Sequence, residues 1–188
     1  REYIDGLSSL WNVTIGHGRH ELAETAAAQM KEMAYFSAYV GCTNVPAIQL
    51  ATRLSELAPN GMNSTFFTTG GAVSNDSAIK TARFYWQAQG QSEKVKIISR
   101  FDAYHGVTMG AMNATGISSY WPMFESNLPN FLHVIPPYPY HYAPDESGLQ
   151  CGEAAAKALE TAKLREGPET VAAFIGEPVL GAAGVIVP

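Results

Sequence analysis

The sequence predicts a three-layer α/β/α fold around a mainly parallel sheet, and three observations carry that reading. Short β-branched, aromatic or apolar runs alternate along the chain with segments of helical period. The last such run, Thr170 to Ile175, is almost continuously apolar, as a strand buried on both faces requires. A glycine pair, Gly70-Gly71, stands where one of these runs gives way to a helical period, the arrangement of a strand, a tight turn and a helix.

Taken in order, residues His20 to Val40 place Leu22, Ala26, Met30 and Met33 at three- and four-residue steps, which predicts an amphipathic helix. Thr43-Asn44-Val45-Pro46 then supplies a cap and a first-turn proline, and Leu50, Leu54 and Leu57 continue a second helix to the stop at Pro59-Asn60-Gly61. Thr65-Phe66-Phe67-Thr68 reads as a strand running into the glycine pair. Ala78, Ala82 and Tyr85 take up a helical period that ends at Gly90. Val95 to Ser99 reads as a strand, a glycine-rich stretch follows from Tyr104 to Gly116, and Phe131 to Ile135 is the next strand. Residues 136–144 hold four prolines and three tyrosines, too many prolines for a helix, so they predict an ordered surface connection. Helix returns from Gly152 to Glu166 and stops at Gly167-Pro168 before the final strand.

Composition narrows the function. The 188 residues are 46% hydrophobic and 15% charged with a net charge of −5, which disfavours nucleic acid or an anionic membrane as partner. No apolar run approaches the roughly 20 residues of a bilayer span, so a soluble, cytoplasmic protein is the expectation. Two distant cysteines, Cys42 and Cys151, make neither a disulfide framework nor a zinc site. The start at Arg1 and the open run to Pro188 read as an excerpt from a longer chain.

Three segments could carry chemistry. Gly70-Gly71-Ala72, opening a helix, would free main-chain N–H groups to converge on an anion such as phosphate, although a purely structural turn has the same spacing. Tyr104-His105-Gly106 follows a strand at its carboxyl end, where ligands of parallel sheets sit. The aromatic pair could lie flat on a planar cofactor, or simply fill a loop core. Glu177, ending the last strand before Pro178, could point a carboxylate into the same cleft or face solvent. His17 and His20 have a metal-like spacing without further ligands and read as structural; Trp11 reads as a core aromatic. Neither a GxSxG elbow nor a GxGxxG with its following acid is present, which argues against a hydrolase of that type and a nicotinamide-dependent dehydrogenase.

In this order the segments resemble the class III aminotransferases, pyridoxal-phosphate enzymes of fold type I. The resemblance spans the chain through Tyr3-Ile4-Asp5-Gly6, Leu10-Trp11, Gly16-His17-Gly18, Phe66 to Gly71 with Asn75 to Lys80, Tyr104-His105-Gly106, and Glu177-Pro178-Val179 with Gly181. It implies that Gly70, Gly71 and Ala72 hold the phosphate of pyridoxal 5'-phosphate, that Tyr104 lies against its ring with His105 beside it, and that Glu177 is the acidic residue near the ring. It implies further that Trp11 lines the substrate pocket. Many relatives read Ser-Gly-Ser-Glu where this chain has Gly70-Gly71-Ala72-Val73, implying main-chain donors in place of side-chain hydroxyls. Ala182 stands where ornithine- and GABA-type relatives have a second glutamate, which points to the branch that moves an amino group from an ω-amine or β-amino acid to pyruvate. By the same resemblance, residues 1–42 contribute to a small domain and the substrate pocket, and 43–188 begin the large cofactor-binding domain, incomplete at its C-terminal side. The Schiff-base lysine is expected beyond Pro188, so no catalytic residue falls within the chain, which would be inactive alone. The full-length protein is expected to be a homodimer taking an amine donor and a keto acid. A decarboxylase, racemase or aminomutase of the same fold, or a non-catalytic fragment, would share these segments.

Overall fold

The computed structural model describes residues 1–124, 128–142 and 148–188, the first two of the last segment by their backbone alone. It divides into two compact units, Arg1–Phe66 and Phe67–Pro188.

The first unit carries α1 (His20–Met33) and α2 (Val45–Leu57). Helix α1 stops seven residues short of the predicted Val40. Its apolar spacing fails after Met33, and the aromatic and small residues that follow lead into a turn at Val40 and Gly41, both in the left-handed region. Helix α2 follows its sequence signals closely: the Asn44 side chain accepts from the Ala47 N–H at 2.9 Å, Pro46 occupies the first turn, and Gly61 turns the chain at φ +91°. No residue of this unit is buried. Ahead of α1 the backbone does something sequence rarely announces. Ser8, Ser9, Leu10 and Trp11 all have positive φ, from 49° to 67°, and form one left-handed turn with Trp11 N–H donating to Leu7 C=O and Asn12 N–H to Ser8 C=O, each at 2.9 Å. Four such residues cost about 4–8 kcal/mol relative to ordinary backbone.

In the second unit, α3 (Gly71–Ala88), β1 (Lys96–Arg100), α4 (Met109–Ala114), β2 (Phe131–Val134), α5 (Gly148–Glu166) and β3 (Val171–Phe174) build a parallel sheet in the order β2-β1-β3. Adjacent side chains of the central strand point to opposite faces and so build both halves of the core. Ile98 packs with Val134, Val171 and Ala162 of α5; Ile97 packs with Ile79 of α3 and Ala114 of α4. Helices therefore cover both faces, giving the three layers. The Trp86 indole N–H donates across to the Ala172 carbonyl at 2.8 Å, fixing α3 on β3.

Two expectations need correction. Thr65–Thr68 is not a strand: it pairs with no described strand, and with Phe66 80% and Phe67 47% exposed it lacks the half-buried face that favours aromatic residues in sheets. The proline-rich connection contains a helical turn at Pro139–Tyr142, because its proline falls at the first position, where no N–H is needed. Residues 143 and 144 of that connection lie outside the described residues. Helix α5 also begins four residues earlier than the predicted Gly152.

Candidate functional site

The carboxyl ends of β1 and β3 carry the site, and each candidate residue arrives there for a local reason. Helix α3 begins at Gly71 with its first-turn N–H groups unpaired within the helix. Nothing stands within 4 Å of where a Cβ would be at Gly70 or Gly71, and neither has a left-handed φ. Neither a backbone twist nor a neighbouring atom therefore calls for glycine at these two positions, and the space before them is open. Two hydroxyls that the sequence reading missed, Thr68 and Ser74, bond each other at the same turn, and Thr68 Oγ1 also donates to the Gly70 carbonyl at 3.1 Å. Their signal was present as hydroxyl residues two before and three after the glycine pair.

From the end of β1 the chain runs through Asp102, at φ +63°, into Tyr104-His105-Gly106. Gly106 has φ +124°, and a Cβ there would stand 2.7 Å from the Ala72 Cα and 2.5 Å from its Cβ. The aromatic loop thus lies directly on the glycine turn, with Gly106 brought close to the backbone of α3. Asn75 Nδ2 donates to the His105 carbonyl at 2.7 Å and Thr108 Oγ1 to the Ala72 carbonyl at 3.3 Å. Asp76 Oδ1 accepts from the Ala111 N–H at 2.7 Å, tying α4 to α3. Beneath the loop, fully buried Thr115 accepts from the His105 N–H at 2.9 Å, and its hydroxyl faces the Ala111 and Gly106 carbonyls at 3.0 and 3.2 Å. Apart from the local Thr115–Ala111 bond, none of these ties was legible in sequence, because each joins residues nine or more apart that have no shared motif.

The two members of the aromatic pair face different surroundings. Tyr104 is 39% exposed, whereas His105 is 5% exposed and its Nε2 has no partner among the described residues. Burial pushes the His105 pKa down, Glu177 opposes that shift, and the neighbouring His133 adds to it. His133 is likewise lowered by burial, against backbone hydrogen bonding that raises it; it sits in a ring cluster with Phe101 and Trp121.

Glu177 braces the strand ends. Its Oε1 accepts from the Tyr104 N–H at 2.8 Å and its Oε2 from the Gly181 N–H at 2.9 Å, while Arg100 Nη1 donates to its main-chain carbonyl at 3.0 Å. A cleft of about 400 Å³ on the α5 side is lined by Arg100, Phe174, Gly176 and Glu177, and neither the glycine turn nor Tyr104 borders it. Ala72, Tyr104, His105 and Glu177 are therefore brought together at one end of the sheet. Trp11 belongs to the other unit.

First-turn N–H groups facing open space are what an anion such as phosphate could use, and the half-exposed Tyr104 stands in the loop that packs on this turn. Among the described residues no cluster of His, Cys, Asp and Glu could hold a metal, and no helix is long and apolar enough to cross a membrane.

A parallel α/β unit whose glycine turn and aromatic loop meet at the carboxyl ends of its strands is of the class that binds ligands there. The chain belongs to the class-III aminotransferase family, whose model matches residues 1–188. It is 37% identical over 185 residues to putrescine-pyruvate aminotransferase of Pseudomonas aeruginosa, covering 98% of this chain and 41% of that protein. It is 39% identical over 191 residues to diaminobutyrate-2-oxoglutarate transaminase of Halomonas elongata, covering 100% of this chain and again 41% of that protein. Among solved structures, a thermostable (S)-enantioselective omega-transaminase from Thermomicrobium roseum matches with a TM-score of 0.95 and 49% identity, covering 99% of this chain and 42% of that one. The chain thus spans about two-fifths of the length of the curated relatives it matches.

Proposed function

We propose that this chain supplies the phosphate-holding and ring-stacking part of a pyridoxal-phosphate-dependent transaminase that moves an amino group from an amine donor to pyruvate. The observation that carries the reading is the contact of Gly106 with Ala72, which sets an aromatic ring beside an open helix N-terminus. The cofactor, when bound, supplies an electron sink for the carbanion chemistry of the donor.

The chain's own residues would hold and orient that group. The N–H groups at Gly71 and Ala72, with the Thr68 and Ser74 hydroxyls, take the phosphate; the Tyr104 ring lies against the pyridine; His105, turned inward, supports Tyr104 from behind. Glu177 holds the loop that carries Tyr104. Trp11 lines the donor pocket, an assignment resting on the family resemblance. The amine-bearing lysine lies outside these residues, so the chain alone does not turn over. Residues 1–42 would serve the small domain and 43–188 the large one. Ala182 favours pyruvate as acceptor, an assignment that also rests on the family resemblance.

A cytoplasmic homodimer is part of the proposal. The first unit leaves Leu10, Met30, Tyr35, Phe36 and Leu50 exposed and has no buried residue, and Tyr140 is exposed in the second, more apolar surface than a monomer usually leaves in water.

The test separates the two roles in the complete enzyme. Gly71→Val fills the space where the phosphate must approach and shields it from two or more main-chain donors, so cofactor affinity should fall about tenfold to a hundredfold. Trp11→Ala should retain the cofactor and change the preference between a small and a bulky amine by about 1–3 kcal/mol. Cofactor binding by Gly71→Val equal to the unaltered protein's, or equal loss on both donors in Trp11→Ala, refutes the assignments.

A further inference from the structure

The left-handed turn at Ser8–Trp11 is the most costly local feature of the chain, and nothing in its own unit offsets it by burial: Leu10 is 67% and Trp11 55% exposed. A run of strained residues persists only where other contacts over-determine it, and such runs concentrate where a side chain must be presented in one direction. Here the contacts are local and polar. Asp5 Oδ1 accepts from the Leu7 N–H at 3.0 Å, and Asp5 Oδ2 accepts from the Ser9 N–H at 2.7 Å and from the Ser9 hydroxyl at 3.0 Å. From the far side Asn12 Nδ2 donates to the Leu10 carbonyl at 2.7 Å.

We propose that Asp5 is a positioning residue: its carboxylate, assisted by Asn12, holds Ser8–Trp11 left-handed and thereby sets the direction in which the Trp11 ring is presented. A return of these residues to right-handed backbone would swing the Trp11 Cα–Cβ bond away from its present direction. The ionised form is the competent one, because both oxygens must accept. The Leu7 N–H, then the Ser9 hydroxyl and N–H, hold the Asp5 carboxyl below the usual carboxylate range. Ser9 and Leu10 bear the strain without being able to relieve it, since neither is glycine.

The experiment uses the full chain labelled with 5-fluorotryptophan, in which Trp11, Trp86 and Trp121 give three fluorine resonances and Trp11→Phe assigns the first. Asp5→Asn keeps one acceptor but turns an amide toward the Ser9 N–H, and should shift or broaden the Trp11 resonance while leaving Trp86 and Trp121 in place. Adding Leu10→Gly, which lowers the cost of the left-handed turn without touching Asp5, should restore it. An unmoved Trp11 resonance in Asp5→Asn, or no recovery in the double variant, overturns the proposal. If all three resonances collapse and the protein is unfolded, Asn12→Ala, which removes the side-chain bonds to the Ser9 and Leu10 carbonyls and leaves Asp5 in place, carries the same test with the same two outcomes.

The kinetic arm rests on the proposed role of Trp11 in the donor pocket. Asp5→Asn should change the ratio of kcat/KM for a small against a bulky amine by about fivefold, with cofactor affinity unchanged. A Trp11→Ala protein with an unaltered donor ratio removes the pocket role, and the fluorine resonance still decides whether Asp5 holds the ring.

Discussion

Gly106→Ala is the sharpest probe of how the two halves of the site are joined. The added Cβ would stand 2.5 Å from the Ala72 Cβ, 2.7 Å from the Ala72 Cα and 3.1 Å from the Ala111 Cβ. Carbon atoms in contact prefer about 3.5–4.0 Å, so the aromatic loop and the start of α3 must part by about 1 Å. Backbone lies on one side and the Asn75–His105 bond pins the other, so no flexible side-chain tip can give way. Overpacking of this kind costs about 1–3 kcal/mol, and an alanine at φ +124° adds about 1–2 kcal/mol. A loss of about 2–5 kcal/mol corresponds to a fall of roughly 4–20 °C in the unfolding midpoint of a unit this size. The separation also moves Tyr104 relative to the glycine turn, so affinity for pyridoxal phosphate should fall further than affinity for free phosphate. Differential scanning calorimetry with parallel titrations of the two ligands checks both effects. A variant with wild-type melting and equal affinity changes for phosphate and cofactor would refute the idea that this contact sets the distance between ring and anion.

Two further outcomes follow from the same geometry. Thr115→Val keeps shape but strips the acceptor from the buried His105 N–H, which should cost about 1–3 kcal/mol and speed amide exchange at His105, with Thr115→Ser restoring both; unchanged exchange would disprove the role. His105 and His133 are held neutral by burial, so the unfolded chain binds protons that the folded one refuses once the pH drops below the ordinary histidine value near 6.5. Stability should therefore be full at about pH 8 and decline by about pH 5.5; urea unfolding that shows equal stability at the two values, or greater stability at the lower, contradicts this.

How far sequence reaches into this molecule depends on the distance over which each feature is decided. Helix α2 was legible because its cap, its proline, its leucine spacing and its terminal glycine all lie within twenty residues of one another. Gly70, Tyr104 and Glu177 were legible as site candidates because glycine, aromatic and acid each follow an apolar run in a pattern that parallel sheets use. Thr65–Thr68 has strand composition, but whether a strand forms depends on a vacant ladder elsewhere, and residue types alone do not report that. The bonds of Asn75, Asp76 and Thr115 to other segments span from 9 to 35 residues and leave no periodic trace, and the left-handed turn was hidden because serine, leucine and tryptophan are poor advertisements for positive φ.

The brace made by Glu177 has a consequence for which sequences this site can tolerate. Both of its bonds from flanking loops come from main-chain N–H groups, at positions 104 and 181, so the carboxylate is blind to the side chains it holds. Ring chemistry at 104 can therefore vary without retuning the brace, and at 181 the brace asks only for a main-chain hydrogen. Proline is the one residue that either position must refuse, because it alone brings no hydrogen for the carboxylate to take. The strand-end acid thus separates what aligns the two loops from what they display, leaving the displayed residues open to change while their alignment stays constant.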